Sequence, residues 1–244
     1  MIATWHRLET DVISIVDDVT VRLIDHMGSD AAICQAARVS TAGENDAAET
    51  DKDAGLIRYL MKHRHGSPFE HGALKFFVEA PIFVVREFHR HRVGWGYNEM
   101  SGRYRQLEPR FYAPKPDRKL VNVGTSARPE FAAGGEAQAA AVNRRLRTCF
   151  QDSWNAYQWL LNDGIANEVA RMVLPVATMS QMYATCNPRS LMHFLSLRVD
   201  SPDSTVRSRP QWEIQLVAER MEAEFARLFP ATHGAFIANG RTAP

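Results

Sequence analysis

One stretch of this chain concentrates the residues that could do chemistry: Arg90-His91-Arg92-Val93-Gly94-Trp95-Gly96-Tyr97-Asn98-Glu99-Met100-Ser101-Gly102-Arg103-Tyr104. It sets three arginines, a histidine, an asparagine, a glutamate and a serine among three glycines. Arginine offers a planar fork of donors that matches phosphate oxygens in pairs. Glycine lets the backbone come close to a ligand and take up positive φ. The combination suits a phosphorylated ligand. An apolar lead-in, Pro81-Ile82-Phe83-Val84-Val85, ties the stretch to a core, which a merely solvated charged face would not need.

Other charged residues sit at informative spacings. Arg198 follows Leu191 by nearly two helical turns and so shares the stripe of Leu191, Phe194 and Leu195. A guanidinium on an apolar stripe needs an anionic or polar partner. The competing reading is an arginine that snorkels at a helix end, near the negative pole of the dipole. Arg171 lies three residues after Glu168, where a surface ion pair is the plain alternative to a ligand contact. Arg189 and His193 are four apart and form one helix edge.

Some chemistries fit less well. His63, His65, His71, His89 and His91 are interleaved with Arg64, Arg90 and Arg92, and no carboxylate-rich shell accompanies them, so no metal site is expected. Ser101 lacks the strained elbow of a nucleophilic serine and reads as a hydrogen-bond donor. Cys34, Cys149 and Cys186 are scattered in apolar surroundings and read as small core residues. The Gly94-x-Gly96 pair lacks the frame and third glycine of a dinucleotide fingerprint.

The elements that must position these groups are mostly helical. Val12 to Leu23 partly alternates and reads as strand and turn, and Phe69 to Val78 as a strand. Helices are expected over Ala31 to Val39, over Asp53 to His63, and from Pro81 onward toward Glu87. A long helix carries Val142, Leu146, Phe150, Trp154, Tyr157 and Leu161 and ends at Gly164. Glu168 to Leu174 is a short helix stopped by Pro175. Asn187-Pro188 is a strong helix start, an N-cap residue followed by proline. Gln211 to Leu228 forms a closing amphipathic helix, after a polar loop from Ser201 to Pro210. The pattern predicts an α+β fold: one helix-rich domain over residues 1–244 around a central, mostly antiparallel sheet, with an irregular excursion at about 114–136.

Composition narrows the class. With 45% hydrophobic and 23% charged residues, the 244-residue chain can build a sizeable core. A formal net charge of +1 supplies no global field for nucleic acid or membrane, so any anion site comes from local clustering. No apolar stretch like a signal peptide follows Met1–Arg7, no run is long enough to span a membrane, and three scattered cysteines fit a reducing compartment. The expected location is the cytoplasm.

The chain resembles the flavin-dependent thymidylate synthases. The resemblance rests on Arg90-His91-Arg92 followed by Asn98-Glu99-Met100-Ser101-Gly102-Arg103-Tyr104. It extends to His65-Gly66-Ser67-Pro68-Phe69-Glu70-His71, to Glu168 through Pro175, to Asn187 through Arg198, and to Gln211-Trp212-Glu213-Ile214. These segments run in the family's order over roughly residues 55–220. Two features depart from the usual pattern. The spacer between Arg92 and Ser101 is one residue longer, and Glu87 stands where glutamine is common.

The resemblance implies that FAD is held by His65, Ser67, Arg90, His91, Arg92, Glu99, Asn187, Arg189 and His193. It implies that dUMP is held by Glu87, Phe88, His89, Arg90, Glu99, Met100, Ser101, Gly102, Arg103, Arg171 and Arg198. Arg198 would be catalytic, facing the uracil ring and stabilising charge on it. Methylenetetrahydrofolate would give the carbon and NADPH the reducing equivalents, in a homotetramer whose sites lie between subunits. The alternative is a nucleotide- or RNA-binding homologue without synthase activity, reading its ligand with Trp95, Tyr97 and Tyr104 as stacking aromatics.

Overall fold

The computed structural model describes residues 12–43 and 52–244. The N-terminal segment Met1–Arg7, read above for a leader, lies outside them. The chain divides into two compact units. One takes in the described part of Met1–Asp18 with Ala80–Phe83 and Met100–Ser180. The other takes in the described part of Val19–Glu79 with Val84–Glu99 and Gln181–Pro244.

The second unit carries most of the candidate site. Its helices are α1 (Asp30–Ala42), α2 (Asp53–Lys62), the greater part of α3 (Ile82–Phe88), α6 (Pro188–Arg198), α7 (Trp212–Leu228) and α8 (Pro230–Ala238). They accompany a four-stranded sheet of order β2-β3-β8-β4, formed by Thr20–Met27, Ala73–Pro81, Met179–Cys186 and Trp95–Glu99. The β2–β3 and β4–β8 ladders are antiparallel. Ile57, Leu191, Phe194, Leu195, Val217, Met221 and Phe225 are fully buried, each drawn from the apolar stripe of its own helix.

The first unit is built on α4 (Glu136–Asn162), whose Phe150, Trp154 and Tyr157 pack around Phe111 and Ala170. A short parallel pair joins β1 (Ser14–Val16) to β5 (Arg110–Tyr112). After α4 comes α5 (Asn167–Ala170), then a 3-10 turn at Arg171–Val173.

The α+β class expected from the pattern holds, and the differences are local. Strand β3 begins at Ala73, later than expected, because Ser67–Glu70 coils into a 3-10 turn with Pro68 in its first positions. Pro81 closes β3, and α3 begins one residue later, at Ile82. Strands β4 and β8 and helix α8 had no counterpart in the sequence reading. The excursion is not wholly irregular: Val121–Asn122 (β6) pairs with Phe131–Ala132 (β7), and α4 starts at Glu136. No helix among the described residues is long and apolar enough to cross a membrane.

Candidate active site

In the second unit the chain turns back at the end of α3, passes through Arg90-His91-Arg92, and enters β4 beside the start of α6. The side chain of Asn187 caps α6 by accepting from the Ser190 N–H at 2.8 Å. Ser190 Oγ–H donates in turn to the main-chain carbonyl of Val93 at 2.8 Å. Gly94 makes this close approach possible, since it sits at φ +69 with Ser190 and Asn187 where a side chain would be. The same freedom is not used at Gly96, which has open space around it and no positive φ. A Cβ at Gly102 would sit tightly against the side chains of Leu107 and Arg171, again without positive φ.

The turn and the helix start enclose a cavity of about 450 Å³ lined by Glu70, His91, Arg92, Val93, Gly94, Trp95, Asn187, Arg189, Ser190 and His193. Five of the residues assigned to FAD by resemblance therefore meet here: His91, Arg92, Asn187, Arg189 and His193. Arg189 is anchored by Glu70 at 2.6 Å and by the Pro244 carbonyl at 2.8 Å. His193 follows one turn along α6, as its spacing required. Ser67 is exposed on the 3-10 turn that also carries Glu70, while His65 is exposed and packs edge-on to Tyr59. Arg90 is exposed outside this cavity lining, and Glu99 ends β4 opposite Met182.

The walls behind the cavity are aromatic. Phe88 is fully buried and stacks on Phe194 at 4.9 Å, so its side chain is a packing element. His89 is exposed with its ring edge-on to Tyr97. Trp95 and Tyr97 stack on one another with an interplanar angle of 11°. The Tyr97 hydroxyl reaches the carbonyls of Phe88 and His91, and burial pushes its pKa up. These two rings are spent on each other, which leaves Tyr104, 80% exposed, as the outlying aromatic of the stretch. That is a poor stacking platform for RNA.

Arg198 does not snorkel. Its side chain is 18% exposed, and it donates from Nη1 to Glu87 Oε2 at 2.6 Å. Nε–H donates to His91 Nε2 at 3.1 Å, and Nη2 reaches the Glu87 carbonyl at 3.5 Å. Arginine can only donate, so His91 Nε2 is unprotonated there. Burial first, then the charges of Arg198 and His193, hold the His91 pKa down at about 4. His193 is lowered too, by burial and by Arg189. Burial raises the Glu87 pKa, with Arg198 pulling the other way and Glu213 adding to the rise.

The remaining assigned residues lie in the first unit. Ser101 Oγ accepts from the Arg103 N–H at 3.2 Å. Glu168 pairs with Arg103 at 2.8 Å, and not with Arg171, its neighbour three residues on. Arg171 packs over buried Gly102 and has no ion-pair partner among the described residues. Met100 is half-buried just past β4. A second cavity, about 630 Å³, lies between the excursion and α4 and takes none of the residues that the motifs single out.

The cysteines need one correction. Cys34 and Cys186 are buried as expected, but Cys149 is exposed on α4. Burial pushes the Cys34 thiol up to about 11 and raises Cys186 as well, so neither is an activated thiolate. No group of three metal-ligating side chains gathers among the described residues.

Fold and site together define an α+β protein with a cavity lined by arginine, histidine and amide donors and an adjoining half-buried arginine. A family model described as "Thymidylate synthase complementing protein" matches residues 22–231. The chain is 54% identical over 231 residues to the flavin-dependent thymidylate synthase of Streptomyces avermitilis, covering 93% of this chain and 94% of that one. It is 53% identical over 236 residues to the Streptomyces coelicolor enzyme of the same name, with 95% and 96% covered. The crystal structure of PolB from Streptomyces cacaoi, a UMP/dUMP methylase bound with 5-Br dUMP, superposes with a TM-score of 0.90 at 49% identity. That match covers 95% of this chain and all of PolB, and PolB bound with 5-Br UMP matches equally well. The chain belongs to the flavin-dependent thymidylate synthase family, enzymes of the methyltransferase class.

Proposed function

We propose that the chain converts dUMP to dTMP, with FAD as bound cofactor, methylenetetrahydrofolate as carbon donor and NADPH as reductant. Moving a methylene carbon onto the ring and leaving it as methyl requires two electrons, which is the part NADPH plays. The observation that carries this reading is Arg198, half-buried, fixed by Glu87 and His91, and linked through His91 to the donor-lined cavity.

The cavity's donor set fits part of a flavin dinucleotide. Arg92 and Arg189 are cations suited to a pyrophosphate, Asn187 and His193 are polar partners, and Trp95 presents an apolar wall. Bound there, the flavin would supply the hydride chemistry. The protein's own part is electrostatic. A preorganised guanidinium at Arg198 stabilises negative charge on the pyrimidine ring as it is activated, and is worth most where water is excluded. Ser101, Gly102, Arg103 and Arg171 would grip the nucleotide phosphate, where arginines act through paired charge-assisted bonds. The raised pKa values of Cys34 and Cys186 favour a route without an enzymic thiolate. Assembly as a homotetramer, with sites completed by residues of neighbouring subunits, belongs to the same proposal.

Flavin binding and turnover test it. Protein reconstituted with FAD should show flavin absorbance that dUMP perturbs, and should form dTMP when supplied with methylenetetrahydrofolate and NADPH. UMP belongs beside dUMP in the assay, because PolB has been crystallised with brominated forms of both. Protein that binds no FAD at micromolar concentration would sink the reading.

A further inference from the structure

Glu87, in the last turn of α3, and Arg198, the last residue of α6, meet across 111 positions of sequence. The contact has direction. The carboxylate takes Nη1, the Glu87 carbonyl takes Nη2, and His91 takes Nε, so the plane of the guanidinium is set by three acceptors. Both side chains are largely withdrawn from water, at 18% and 19% exposed. Burying an ion pair gives little net stability, because desolvation offsets the attraction. Glu87 Oε1 adds to the cost: it is buried with no hydrogen-bond partner among the described residues. An amide at this position would donate where the carboxylate can only accept, and would carry no charge. The carboxylate is thus kept at a site where stability alone does not call for it.

We propose that Glu87 is a positioning residue, whose carboxylate holds the Arg198 guanidinium in the plane the reaction uses and offsets part of its charge. It acts through Arg198 and not by gripping the nucleotide. The inference rests on the reading of Arg198 given above. The groups facing Glu87 are Arg198 and, beyond it, His193 on α6, His91 after α3, and Glu213 on α7. Because burial and Glu213 disfavour the carboxylate's charge, its protonation begins above the ordinary carboxylate range. Protonation releases Nη1, so the rate of methyl transfer should fall on the acid side with Glu87.

The test compares Glu87→Gln and Glu87→Ala with the wild-type holoenzyme. Single-turnover dTMP formation is followed across pH, flavin reduction by NADPH beside it, and dUMP affinity of the holoenzyme by calorimetry. Glu87→Ala should lose dTMP formation by at least about tenfold, with dUMP affinity and flavin reduction within about threefold. Glu87→Gln, uncharged at every pH like the protonated carboxyl, should hold the rate near the wild type's acid-side level and flatten the acid limb. A wild-type acid limb in the glutamine variant overturns the proposal, and this arm decides alone if the alanine variant does not fold. A loss of dUMP affinity equal to the loss of rate also overturns it, in favour of a direct nucleotide contact. Failure of the wild-type enzyme to form dTMP overturns the functional reading and this one together, whereas normal turnover with an unmoved pH profile overturns this one alone.

Discussion

Replacing Gly94 by alanine tests the account of the turn that closes the cavity. The residue sits at φ +69, where a side chain costs about 1–2 kcal/mol. A Cβ there would fall inside the contact shell of Ser190 Oγ and lie 2.7 Å from Asn187 Nδ2. Ser190 would have to give up its bond to the Val93 carbonyl, worth about 1 kcal/mol. The Asn187 cap of α6 would loosen, at a further cost of about 1 kcal/mol. The expected destabilisation is about 3–4 kcal/mol. Gly96→Ala is the control, since nothing lies within 4 Å of its added Cβ and its φ is not positive. It should change stability by less than about 0.5 kcal/mol. Urea unfolding of the flavin-free proteins at fixed ionic strength measures both. FAD affinity should fall in the Gly94 variant alone, because Asn187, Ser190 and Gly94 line the cavity. Equal stability and equal FAD affinity of the two variants would refute the reasoning.

Arg198→Lys keeps charge but loses the planar fork, and should lower dTMP formation by at least about tenfold, roughly 1.4 kcal/mol of transition-state stabilisation, while flavin reduction persists in part. Normal dTMP formation in single turnover would return Arg198 to a packing role. Arg171→Ala or Arg103→Ala should weaken dUMP binding by roughly 1.5–3 kcal/mol, read by titration, with much smaller change in flavin content; equal losses would mean that the two ligands are misassigned. His91 has its folded pKa lowered to about 4 from 6.5, so the unfolded chain takes up the proton first as pH falls. Its contribution is complete above the unfolded value and is lost on descending through that window. The sign predicts about 2 kcal/mol less stability at pH 5 than at pH 7 from this residue, a difference that His91→Phe should remove from the urea midpoints. Finally, the triple replacement of Cys34, Cys149 and Cys186 by alanine or serine should retain turnover if the fold survives; a folded, flavin-loaded but inactive variant would point to a thiolate.

Much of this was legible in the residues because the relevant physics is local. Asn187-Pro188 announces a helix start from its own side chain and fixed φ, and α6 begins there with the Asn187 cap in place. The apolar stripe of α4 sits at helical spacing, and its Phe150, Trp154 and Tyr157 are buried. Arg189 and His193 share a helix face by periodicity and reach one cavity. Strand β8 escaped notice because Met182, Ala184 and Cys186 alternate with too little hydrophobic contrast. Strand β4 escaped because its glycines and polar residues read as loop, and only pairing with β8 makes it a strand.

What the sequence by itself determined is the donor inventory: which arginines, histidines and amides exist, and which of them share a helix face. Tertiary structure decided their partners. It gave Glu168 to Arg103 and not to the nearer Arg171. It put Gly94 in a left-handed turn against Ser190 and left Gly96 in open space. It joined Arg198 to Glu87 and His91. A helix face follows from the spacing of neighbours along the chain. An ion pair between residues 111 positions apart depends on how two helix ends are brought together, and a pKa depends on the water that packing removes.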